Sequence, residues 1–116
     1  MPPEEKVREL LQGFPEATIA ACLGFRQTGS VQDLDRAVAG IIQHHLRTPP
    51  KEPVASMPDS EPLLTGLGLD SLTIVEMVFL FEDLFAAELP HEEYSKLVTL
   101  GELRALLRAK TGAVAA

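Results

Sequence analysis

Five prolines, Pro49, Pro50, Pro53, Pro58 and Pro62, fall inside residues 47–69. Each removes a backbone donor and crowds the preceding turn, so no regular helix can run through this stretch. At that length it is also more than a plain connection; such loops usually carry function or stay partly unordered. Leu63, Leu64 and Leu67 give its second half apolar anchors, which predicts that this half packs on the rest of the chain. The chain is thereby divided into a helical block before the loop and another after it.

In the first block, Val7, Leu10, Leu11 and Phe14 recur at helical spacing over residues 3–14, and Gly13 and Pro15 close the segment. A second helix over 16–26 would open with Pro15 at its first position. Thr28-Gly29-Ser30 is a break, and Ser30 with Asp33 forms an N-cap pair. A third helix over 31–46 then presents Leu34, Val38, Ile41, Ile42 and Leu46 on one face.

The second block contains the strongest helical pattern. Over residues 70–87, Ile74, Met77, Val78, Phe81, Leu84 and Phe85 make one continuous apolar stripe. Leu72, Glu76, Phe79 and Asp83 gather on the opposite side, with Thr73 and Leu80 nearby. Residues 90–96 leave room for a short helix only. Thr99 and Glu102 form a capping box for the last helix, whose Leu100, Leu103, Leu106 and Leu107 face inward. Gly112 ends it, and residues 113–116 are expected to fray. With no strand pattern and no repeat, the fold class is all-α.

Charge and composition narrow the function. Net charge is −7, but the window between Lys51 and Lys96 holds ten acids and no Lys or Arg, which leaves +3 for the remainder. A one-sign field of this kind argues against nucleic acid or an anionic membrane and favours proteins with basic patches. The single cysteine, Cys22, excludes an internal disulfide and a cysteine zinc site, and reads as a small buried hydrophobe. The start lacks the apolar core of a signal peptide, and no apolar run reaches membrane-spanning length; the expectation is a cytoplasmic protein without membrane insertion.

Asp70-Ser71 before a helix is, by itself, an ordinary N-cap. Three features give it more weight. Gly66 and Gly68 leave the serine uncrowded, the helix start offers unpaired N–H groups suited to a phosphate, and the far face mixes Leu72 and Phe79 with acids as a docking face does.

The segment "LGLDSLTIVEM" resembles the phosphopantetheine attachment site of the acyl carrier protein family, and the likeness continues through "FEDLFAAELPHEEYSKLVTL". It covers residues 64–107 and reaches more loosely back to "DLDRAVAGIIQHHL", similar to the family's first helix. The resemblance implies a four-helix bundle with a long loop after its first helix, here preceded by an extra helical segment. The corresponding divisions are an extension over 1–29, a carrier domain over 30–112 and a tail over 113–116. It also implies that Ser71 receives 4′-phosphopantetheine from coenzyme A through a phosphopantetheinyl transferase. Asp70 would assist that metal-dependent transfer. Leu72, Glu76, Phe79 and Asp83 would be the recognition face for acyl-transferring, condensing or ligase enzymes with basic docking patches. The protein would be a monomeric carrier of acyl thioesters, not an enzyme, and would bind no metal of its own. Residues beside Phe81, Phe85 and Leu97 could shelter an acyl chain or simply fill the core.

The sequence departs from the family's familiar fatty-acid carriers at Thr73, Leu84 and Ala86, where acids are common, and at Gly66, which replaces an acid. The proline-rich loop and the first 29 residues have no counterpart in compact members. These departures point to a specialised carrier in a secondary lipid or polyketide-like pathway. A peptidyl carrier and an unmodified helical interaction module are the alternatives. Catalysis has little support: "GLGLDSL" lacks the G-x-S-x-G elbow, and adjacent His44 and His45 point to different sides of their helix.

Overall fold

The computed structural model describes residues 1–115, and six α-helices follow one another along them. They are α1 (Glu4–Leu10), α2 (Glu16–Thr28), α3 (Val31–His45), α4 (Ser71–Phe85), α5 (His91–Tyr94) and α6 (Leu100–Thr111). Two isolated bridges, Ser30 with Val114 and Pro62 with Thr99, are the only β-type pairings among the described residues. None of these helices is long and apolar enough to cross a membrane. The architecture is the expected all-helical bundle.

Three helices, α3, α4 and α6, open on a side-chain cap, and α1, α2 and α5 open on a proline. The Ser30 hydroxyl accepts the Asp33 N–H at 3.2 Å and opens α3. At the start of α6, Thr99 and Glu102 form the full capping box, with the Glu102 carboxylate accepting the Thr99 N–H at 3.0 Å. Helix α1 is shorter than the apolar spacing implied, because Gly13 turns left-handed at φ 91° and the chain leaves the helix after Leu10. Pro15 is the N-cap of α2 rather than its first helical residue.

The extra helices are built into the core. Only Gly29 and Ser30 separate α2 from α3, and the two helices run antiparallel, with Thr18 facing Gly40 and Gly24 facing Asp33. A Cβ at Gly40 would lie 2.5 Å from Thr18 Oγ1, so the closeness of this pair depends on that glycine. Val7, Leu11, Ile19, Cys22 and Phe25 are buried in one cluster with Leu34, Ile41, Phe81, Leu84 and Leu107. The ring of Phe25 meets that of Phe85 edge-on, with centroids 5.6 Å apart. Burial pushes the Cys22 thiol up to about 12, consistent with an inert packing residue.

The proline-rich segment is ordered by what it touches. It contains one 3₁₀ turn, Val54–Ser56, and buries Val54, Met57, Leu63 and Leu69. Leu64, expected as an anchor, is half exposed, while Val54 and Met57 anchor the first half instead. Backbone bonds from Leu63 to Val98 (2.9 Å), Leu100 to Glu61 (2.8 Å) and Gly101 to Asp59 (2.9 Å) bind the segment to the start of α6.

Helix α4 is unevenly held. Its buried residues, Met77, Val78, Phe81, Leu84 and Phe85, all lie in its later part, whereas Ser71 to Glu76 include none. It ends on Ala86, a non-glycine residue at φ 51°, and the Glu82 carboxylate then accepts the Leu89 N–H at 2.9 Å. Beyond α6, Val114 bonds by its N–H to Gly29 and by its carbonyl to Val31, so the tail expected to fray is joined to the α2–α3 turn. Ala116 lies outside the described residues.

Candidate functional site

Ser71 is the first residue of α4 and is exposed. Two glycines precede it; Gly68 sits at φ 72°, a left-handed turn that a side chain would strain. Asp70 is the N-cap, and its Oδ1 accepts the Thr73 N–H at 2.7 Å. Its other oxygen, Oδ2, accepts from Arg47 Nη2 at 3.2 Å. The Asp70 carboxyl is held below the usual carboxylate range, chiefly by the Thr73 N–H and with a smaller contribution from Arg47. At the helix start the leading backbone N–H groups lack intrahelical acceptors and carry the positive end of the dipole.

Along the same helix the other selected residues share one outward face. Leu72 and Phe79 are 68 % and 59 % exposed, well above what side chains of their size show in a packed core. Glu76 and Asp83 are exposed on the same side, at spacings of three and four residues. Leu64 and Val98 add exposed apolar surface where the entering loop meets the segment before α6. The residues beside Phe81 and Leu97 enclose a space of only about 10 Å³, at or below what one water needs, so they fill the core. Sequence reasoning missed Arg47. The available signal was that Arg47 and Lys51 are the last cations before the long acidic window.

Residues 36–107 match the family described as "Phosphopantetheine attachment site". Proteins described as "Acyl carrier protein" from Rhodopseudomonas palustris (strain TIE-1) and Nitrobacter winogradskyi are each 32 % identical to this chain over 72 residues, covering 62 % of it and 86 % of the relative. One from Bradyrhizobium sp. (strain ORS 278) is 31 % identical over the same length. The chain belongs to the acyl carrier protein family. No solved structure matches it.

Acyl carriers are not enzymes, and they bear 4′-phosphopantetheine covalently. The chemistry at the start of α4 fits such a group. A phosphodiester link to the chain calls for an alcohol that a second protein can reach, and Ser71 offers an exposed one. The product is an anionic phosphodiester, for which helix N–H groups and the Arg47 guanidinium are suitable neighbours.

Proposed function

We propose that Ser71 is the attachment residue and that this carrier presents acyl groups, held as thioesters, to partner enzymes of a lipid or polyketide-like pathway. The observation that carries the proposal is an exposed serine at the N-terminus of a helix whose outer face is apolar and acidic together. When attached, the arm supplies a terminal thiol able to hold and release an acyl group.

The chain's own residues do the remaining work. Ser71 Oγ attacks the phosphorus of coenzyme A that bears the pantetheine. A serine O–P bond forms, the diphosphate P–O bond breaks, 3′,5′-adenosine diphosphate leaves, and the transferase takes the hydroxyl proton. Asp70 fixes the helix start through Oδ1 while its carboxylate stays half exposed, so that a metal ion carried by the transferase would find an oxygen ligand there. Leu72 and Phe79 supply the apolar contact with partners, and Glu76 and Asp83 supply charge that steers basic patches toward them. The acids of residues 52–93 extend this field. Residues 30–112 make the carrier domain proper, and the extension over 1–29 enlarges its core.

The test is incubation of the apo protein with coenzyme A, magnesium and a broad-specificity phosphopantetheinyl transferase, followed by intact mass. A gain of one arm in the parent and none in Ser71→Ala supports the proposal. No gain under conditions that load another carrier would refute Ser71 as an acceptor for that enzyme class.

A further inference from the structure

The loop that leaves α3 and the loop that enters α4 leave a groove of about 440 Å³ between them. Arg47 and Lys51 line one side and Thr65 and Gly68 the other, with Met57 and Leu67 adding apolar surface. Its volume lies within the roughly 300–1,000 Å³ in which proteins hold small molecules. Its lining reaches Gly68, three residues before Ser71, and one of its lining residues, Arg47, donates to Asp70 Oδ2 at 3.2 Å, which links the groove to the residue beside Ser71.

We infer that this groove is the resting bay of the pantetheine arm and that Arg47 anchors the arm's phosphate; the inference rests on Ser71 being the attachment residue.

Charge supplies the first reason. A phosphodiester on Ser71 sets a second negative group beside the Asp70 carboxylate. Like charges on neighbouring residues repel, and a cation beside both offsets that repulsion. Arg47 is the cation already placed there, and a single guanidinium N–H is engaged with Asp70, leaving further donors for phosphate oxygens. Lys51, which lines the same groove, is the next positive residue along the chain, and no Lys or Arg follows it until Lys96.

Shape and chemistry supply the second. The arm alternates a geminal dimethyl unit, a hydroxyl and two amides, so it needs apolar and hydrogen-bonding surface in turn. Met57 and Leu67 offer the first, and the hydroxyls of Thr48 and Thr65 the second. Two other spaces do not serve. The gap beside Phe81 is about 10 Å³. The groove of about 510 Å³ between α2 and α3 has no lining residue from α4 or from residues 66–70.

Arg47 thus has two partners in turn. It pairs with Asp70 in the unmodified protein and with the phosphodiester afterwards. A partner enzyme that engages the face of α4 draws the arm out, and the groove receives it again after release.

The test uses protein labelled with ¹³C and ¹⁵N and loaded with unlabelled coenzyme A, with attachment at Ser71 verified by intact mass and peptide mapping. An isotope-filtered nuclear Overhauser spectrum then reports arm-to-protein proximity. The expected result is cross-peaks from the geminal methyls to the methyl groups of Leu67 and Met57, with a shifted Arg47 Nε–H resonance. Arg47→Ala, loaded in the same way, loses those cross-peaks, while Arg47→Lys retains part of their intensity. A loaded parent without cross-peaks and with Arg47 Nε–H unmoved overturns the bay alone. Absence of any arm at Ser71 overturns the attachment reading and the bay together.

Discussion

Arg104 of α6 donates to the Asp59 carboxylate at 2.8 Å and, with the same guanidinium, to the carbonyl oxygens of Met57 and Val54 at 3.1 and 3.3 Å. Its side chain is only 11 % exposed, so the two carbonyl bonds are partly sheltered from water, whereas the Asp59 carboxylate is 74 % exposed. One residue therefore fastens the 3₁₀ turn and the bend that follows it to the last helix. Arg104→Ala should cost about 2–3 kcal/mol, because charged hydrogen bonds are lost and buried carbonyls are left without their donor. Urea unfolding measures the loss, and amide exchange should quicken over residues 54–61. Arg104→Lys should recover only part of it, since a lysine cannot reproduce the planar fork.

The first two helices are load-sharing parts of the core. Leu11 is fully buried, so Leu11→Ala should destabilise the protein by about 2–5 kcal/mol. Removing residues 1–29 should lower the melting temperature much further, because Val7, Leu11, Ile19, Cys22 and Phe25 leave together. A truncated chain that melts with the parent would show that the helices only rest on the bundle.

The outer face of α4 should behave in the opposite way. Leu72→Ala and Phe79→Ala remove exposed side chains, and each should change stability by no more than about 0.5 kcal/mol. Each should nevertheless lower kcat/KM for loading by the transferase by roughly tenfold, as expected for an apolar residue central to an interface. Loading at the parental rate would remove that residue from the docking surface.

Acidification tests the helix start. The Asp70 carboxyl titrates below its ordinary value of about 3.9 in the fold, so between the two values the unfolded chain binds more protons. Stability from this group is therefore complete above the unfolded value and is lost as pH falls through the folded one. Asp70→Asn keeps an oxygen for the Thr73 N–H but carries no charge. The parent should exceed it in urea midpoint near pH 6, and the gap should close below about pH 4. A gap that does not change with pH would mean that the charge contributes nothing.

Much of this structure is legible in the sequence wherever a signal is local. Ser30 with Asp33, Thr99 with Glu102 and the apolar stripe of 70–87 each act within a few residues, and the helices begin close to where those residues place them. The face of Leu72, Glu76, Phe79 and Asp83 follows from helical period alone. Contacts between distant segments leave no such trace. Nothing near Arg104 shows that it reaches back to residues 54–59, and the place of Arg47 ahead of the acidic window does not single out Asp70 as its partner. Leu64 and Leu63 are identical in type, yet the bond from Leu63 to Val98 sets one inside and leaves the other half exposed. Val114 looks like part of a loose end because its partners, Gly29 and Val31, stand more than eighty residues away.

The uneven burial of α4 has a mechanical meaning. A rod embedded from Met77 to Phe85, half-buried at Ile74 and led into by the buried Leu69, is a beam clamped at its far end and held more lightly near the serine. A load applied at Leu72 meets fewer buried contacts there than it would at Phe85, where the ring of Phe25 braces the root. A gripping enzyme can therefore tilt the attachment point by a small angle without parting the side chains that keep the protein folded.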